Sequence, residues 1–156
     1  MLFVQLDKDV YYPGAKLTAF ITVSAKKKIK ARRLVARLAC HERRLVKKQV
    51  INDRYDFDRD KEMSIPYSSH MEERVEQLST VCFEDEKDAC GETELVGENT
   101  FKVEFFIPKT AEPTSHEFGH DNRIFIWKLH VKLDVPFGID KNAVKEVVVQ
   151  GQYGVI

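Results

Sequence analysis

A chain of 156 residues, 43 % hydrophobic and 32 % charged, is the size of one globular domain and holds enough apolar material to close a core without a disulfide or a metal. Its 25 basic and 25 acidic residues cancel, which argues against bulk electrostatic binding to nucleic acid. No apolar run approaches the roughly 18 residues of a membrane span, Met1 to Asp7 lack the pattern of a signal peptide, and the unpatterned Cys40, Cys82 and Cys90 read as reduced thiols of a cytoplasmic protein.

Period-two alternation between prolines and glycines predicts strands. The first is Leu2 to Leu6, with Leu2, Val4 and Leu6 on one face. After Pro13-Gly14, Lys16 to Ala25 places Leu17, Ala19, Ile21 and Val23 together. Lys30 to Glu42 does the same with Leu34, Ala36, Leu38 and Cys40, and a weaker strand over Leu45 to Arg54 rests on Val46, Val50 and Ile51. Glu62 to Tyr67 is short. Met71 to Phe83 is open between a helix over Met71 to Leu78 and a strand ending on Val81 and Phe83. Thr100 to Ile107 lines up Phe101, Val103, Phe105 and Ile107. Arg123 to Leu133 sets Phe125, Trp127, Leu129, Val131 and Leu133 against Ile124, Ile126, Lys128, His130 and Lys132. Val144 to Gln150 comes last. About eight or nine strands with one buried face each predict an all-β, antiparallel two-sheet sandwich. Trp127 is expected in the core, and His130, with Lys128 and Lys132, in solvent.

Charge is unevenly placed. Lys26 to Lys48 carries eleven basic residues against one acidic, and Met71 to Glu92 carries eight acidic against two basic. Such blocks keep solvated faces and edges from pairing. They also permit a basic docking surface made of Lys26, Lys27, Lys28, Lys30, Arg32, Arg33, Arg43 and Arg44 for an acidic or phosphorylated partner. A single-stranded nucleic acid is disfavoured there, because Lys26 to Lys48 contains no Phe, Tyr or Trp.

The residues assign no catalytic centre, metal or cofactor. His116 and His120 flank Glu117 in a segment that follows Pro113 and is interrupted by Gly119, with no third ligand in sight; a surface loop is the simpler reading. Ser68, Ser69 and His70 are adjacent, but neighbouring strand residues point apart, and there is no nucleophile elbow. The seven glycines are scattered and form no phosphate loop.

Four segments in order resemble a known family. They are Leu6-Asp7-Lys8-Asp9-Val10-Tyr11-Tyr12-Pro13-Gly14 before a strand; Lys27 to Cys40, a basic entry into alternating apolar residues; Phe101 to Thr114, a strand ending in Ile107-Pro108 and then Pro113-Thr114; and Arg123 to Lys141, the strand with Trp127 and its Pro136-Phe137-Gly138 turn. Together they resemble the arrestin-like clan, which includes arrestins, retromer cargo subunits and a bacterial sporulation-control protein. The resemblance covers nearly all of 1–156 as a single domain, except the acidic middle, Asp53 to Asn99. It implies an immunoglobulin-like sandwich that acts as an adaptor or scaffold, not an enzyme, without a cofactor. Animal arrestins carry two tandem sandwiches and this length holds one, so the closer resemblance is to a free-standing prokaryotic domain. A lone sandwich must polarise the surface a second one would cover or pair with another copy, so a homodimer is expected. The reading is therefore a non-enzymatic protein-interaction module that binds through edge strands, loops or the basic surface. The alternative is an enzyme or small-ligand binder with a site assembled from loops around His116 and His120.

Overall fold

The computed structural model describes residues 1–52 and 70–151, and these form seven strands and no helix. The strands are β1 (Leu2–Leu6), β2 (Lys16–Ala31), β3 (Arg33–Asn52), β4 (His70–Cys90), β5 (Thr93–Phe106), β6 (Arg123–Asp134) and β7 (Lys141–Val147). A three-stranded sheet has the order β1-β2-β5 and a four-stranded sheet the order β4-β3-β6-β7, with every strand pair antiparallel. The expected all-β, two-sheet sandwich is what forms.

The alternation read from the sequence builds the core. Leu17, Ala19, Ile21 and Val23 of β2 and Val103 and Phe105 of β5 face Leu34, Ala36, Leu38 and Cys40 of β3 and Trp127, Leu129, Val131 and Leu133 of β6, all buried. Each fully buried aliphatic side chain contributes about 1.5–3 kcal/mol. Tyr11, Ile107, Val147 and Val149 close one end. There Tyr11 forms an isolated parallel bridge to Val149. The turn that carries β1 toward β2 has Pro13 and Gly14 at its centre. Gly14 has φ 84°, and the Ala15 N–H donates to the Tyr12 carbonyl at 2.9 Å; a left-handed residue in that position requires glycine.

Several element boundaries differ from the sequence reading, each for a physical reason. The strands expected over Lys30 to Glu42 and Leu45 to Arg54 are one continuous β3 from Arg33 to Asn52; Lys30 and Ala31 belong to β2, and Asp53 and Arg54 lie outside the described residues. Arg43 and Arg44 do not turn, because they are paired on both sides, to Ser79 and Leu78 of β4 and to Ile124 and Arg123 of β6. The helix considered over Met71 to Leu78 does not form. That stretch pairs residue by residue with the outer half of β3, from Leu78↔Arg44 to Met71↔Ile51, so neighbour pairing overrides local helix propensity. β2 runs on to Ala31 and β5 starts at Thr93, because β2 bulges by three lysines and then resumes its register. Glu62 to Tyr67, Ser68 and Ser69 lie outside the described residues.

Candidate functional site

The four-stranded sheet leaves one long edge. β3 pairs with β6 only from Arg33↔Asp134 to Arg44↔Arg123, but with β4 from Leu34↔Cys90 out to Asn52↔His70. Past Arg44 the β3–β4 ribbon continues with no third strand among the described residues. β4 pairs with β3 on one side and, among the described residues, with no strand on the other. An open edge of this length is a template for another strand, and a two-stranded ribbon is marginal without one.

Charge divides that edge. Residues 84–88 read Glu-Asp-Glu-Lys-Asp, whereas Gln77 to Phe83 carries no charge. Within the uncharged window Leu78 and Val81 are 51 % and 45 % exposed, and Val75 beside it is 60 % exposed. Unpaired backbone groups and apolar side chains are therefore presented together, without the charges that usually blunt an edge.

The two charge blocks of the sequence meet in part, three basic residues of one against four acidic residues of the other. Antiparallel pairing lays β4 against β3, so Arg33 binds Glu86 at 2.9 Å and also Asp88, Arg37 reaches Glu84 at 3.4 Å, and Lys48 reaches Glu76 at 3.9 Å. These pairs are exposed and screened by salt, and they add more to register than to stability.

The eight basic residues fall into two groups. Lys26, Lys27 and Lys28 form the bulge between Ala25↔Gly97 and Ile29↔Leu95, where Gly97 takes φ 71° opposite them. Lys28 binds Glu94 at 2.7 Å and holds its carboxyl below the usual range, while Lys26 and Lys27 have no ion-pair partner among the described residues. Lys30 lies near the end of β2, and the Arg32 N–H donates to the Asp134 carbonyl at 2.9 Å beside Arg33. Arg43 and Arg44 lie ten residues or more further along β3 than Arg33, about 33 Å away at the strand rise of about 3.3 Å. Arg44 pairs with Glu42 at 3.1 Å. The structure thus gathers Lys26 to Arg33 at one end and sets Arg43 and Arg44 toward the other.

At that second end a cavity of about 250 Å³ opens, lined by Cys40, Glu42, Cys82, Phe83, Pro108, Glu112, Arg123 and Trp127. Trp127 is buried as expected; its Nε1 donates to the Glu112 carbonyl at 2.9 Å and its ring lies 5.5 Å from Phe83. Arg123 reaches Glu42 at 3.6 Å and Asp121 at 3.4 Å. The sequence carries no sign of this cavity, because its walls come from β3, β4, β6 and the segment after β5.

On the outer face of the same sheet His130 departs from expectation. It is half-buried, its Nε2 lies buried without a hydrogen-bond partner among the described residues, and its ring stands edge-on to His41 at 6.4 Å. Burial first, and then the Arg37 charge, hold both imidazoles below their ordinary range, so both are neutral near pH 7. His116 meets Glu146 at 3.1 Å. Among the described residues no group of three or more His, Cys, Asp and Glu side chains is placed to hold a metal, and no helix is long and apolar enough to cross a membrane.

Comparison with known proteins agrees with this architecture. A family model described as arrestin (or S-antigen), N-terminal domain, matches residues 2–154. Among solved structures the chain is similar to Spo0M, the sporulation control protein from Bacillus subtilis, at 18 % identity and a TM-score of 0.60. The match covers 96 % of this chain and 48 % of the other, so the chain spans about half the length of that protein. A search of the curated proteins finds no match.

Proposed function

The chain belongs to the arrestin N-terminal domain family, and from that premise we propose that it is a non-enzymatic interaction module, an adaptor or scaffold, that takes an extended segment of a partner protein onto the outer edge of β4. The observation that carries this reading is the uncharged window Gln77 to Phe83 on an edge with no strand beside it among the described residues. An added strand satisfies the backbone groups of that edge, and its side chains meet Val75, Leu78 and Val81. Asp85 and its acidic neighbours at one flank favour a basic residue on the partner segment there.

The Lys26 to Lys28 bulge supports a second contact. Lys26 and Lys27 are exposed and without ion pairs among the described residues, and with Lys28, Lys30, Arg32 and Arg33 they suit an acidic or phosphorylated stretch of partner. Arg43 and Arg44 would contact such a partner only if it reached the far end of β3. A second copy of the chain is the competing occupant of the β4 edge, and light scattering across a concentration series separates a homodimer from a monomer that awaits a partner.

The docking edge is tested by charge. Extended peptides selected from a display library against the folded chain should bind the unmodified protein and lose at least about tenfold in affinity to the Leu78→Lys/Val81→Lys variant, because edge lysines oppose strand addition. Both positions are exposed, so the thermal midpoint should stay within the small change usual for surface substitutions. Undiminished binding to a folded double variant would reject the β4 edge as the site.

A further inference from the structure

The register of the β3–β4 ribbon brings together two cysteines that the sequence separates widely. Cys40 stands opposite Phe83 and His41 opposite Val81, so Cys82 is an extra residue in β4 and shares with Phe83 the position across from Cys40. A bulge of this kind re-aims a side chain. The Cys82 Sγ lies 3.3 Å from the Cys40 carbonyl oxygen. Both line the same 250 Å³ cavity. Their surroundings differ. Cys40 is fully buried, while Cys82 is exposed. Cys90, opposite Leu34, lies eight residues down β4, about 26 Å away at about 3.3 Å per residue, and cannot take part.

We propose that Cys40 and Cys82 form an oxidation site that closes to an intrachain disulfide when a peroxide reaches the cavity mouth. The exposed Cys82 thiolate attacks the peroxide oxygen, breaking the O–O bond and becoming a sulfenic acid while hydroxide leaves. The Cys40 sulfur then displaces the sulfenic oxygen, which leaves as water, and the S–S bond forms. Two thiols and one hydrogen peroxide give one disulfide and two waters, with the thiols oxidised and the peroxide reduced. Burial holds the Cys40 thiol protonated, so Cys82 reacts first and Cys40 resolves. The new bond fastens β4 to β3 at the bulge that ends the uncharged window. The chemistry stands on the placement of the two thiols and does not depend on whether that edge docks a partner.

The test is hydrogen peroxide treatment of the purified chain, followed by intact mass, alkylation of remaining thiols and peptide mapping. The expected product has lost two hydrogens, carries one alkylated cysteine at Cys90, yields a Cys40–Cys82 linked peptide and returns to three thiols on reduction. Trp127, the only tryptophan, stands opposite Cys40 on β6 and should report the closure as a change in emission. A Cys82→Ser variant should form no link. A Cys40→Ala variant should instead accumulate a Cys82 sulfenic acid that dimedone traps. The proposal is overturned if the folded wild-type chain takes Cys82 to sulfinic acid while Cys40 stays alkylatable, or if the linked peptide contains Cys90. Peptide binding to the β4 edge is read in a separate assay, so failure of one reading leaves the other intact.

Discussion

Replacing Trp127 by alanine should destabilise the protein by about 3–5 kcal/mol, the usual cost of removing a large aromatic from a core. Trp127 is 1 % exposed. It sits on the central strand β6, between Cys40 of β3 and Val147 of β7, and packs on Phe83 of the edge strand. Truncation leaves a void that opens into the existing cavity, and it strands the Glu112 carbonyl that the indole N–H satisfies. Domains of this size are stable by only about 5–15 kcal/mol, so the variant should unfold at a markedly lower urea midpoint with an unchanged slope. A loss under about 1 kcal/mol would mean that the ring is not packed as described.

The second large effect is expected at Asp7. Its Oδ1 accepts hydrogen bonds from the Tyr11 hydroxyl at 2.5 Å and from the Thr18 N–H at 3.0 Å, while the Lys8 N–H donates to the Tyr11 oxygen at 3.1 Å. Tyr11 is 1 % exposed, so Asp7→Ala leaves its hydroxyl without an acceptor and should cost about 1–3 kcal/mol. The same contact sets a pH dependence. Burial pushes the Asp7 carboxyl up, but donation from Tyr11 and Thr18 outweighs it and holds the carboxyl below 3.8. A depressed folded pKa contributes stability above the unfolded value, and that contribution is lost as pH falls below about 3.8. Burial and the bond to Asp7 push the Tyr11 hydroxyl far above its ordinary 10.0, so its contribution is present below that pH and is lost as pH rises beyond it. Asp7→Asn keeps an acceptor without the charge, and its stability should change less than that of the wild type between about pH 5 and 3. A parallel decline in both would place the acid sensitivity elsewhere.

How much of this was readable in the sequence depended on whether the cause was local. The faces of β2, β3 and β6 were, because burial on one side imposes a two-residue period on Leu17 to Val23, Leu34 to Cys40 and Phe125 to Leu133, broken by the buried Thr18 and Ala39. The continuity of β3 through Arg43 and Arg44 was not. Charge without glycine or proline looks like a loop until strands pair with it on both sides. The outer half of β4 was ambiguous for a similar reason. Its exposed ribbon buries little, so neither period dominates, and only pairing with β3 decides. The basic block read as a docking surface, but its Arg33, Arg37 and Lys48 meet the acidic block across the ribbon, a relation that needs the register. The meeting of Cys82 with Cys40 is likewise a product of one extra residue in β4. The burial of the His130 Nε2, without a partner among the described residues, depends on the packing of neighbours on the sheet's outer face, which alternation does not report.

We propose that a partner segment adds at the edge of β4 that has no strand beside it among the described residues. Amide hydrogen exchange, followed residue by residue with and without a selected peptide, tests it most directly. Slowed exchange is expected at alternate amides of Gln77 to Phe83, those directed away from β3, with β1, β5 and β7 unchanged. Protection that appears on one of those strands, or over Lys26 to Arg33, while Gln77 to Phe83 exchanges as before, would contradict it.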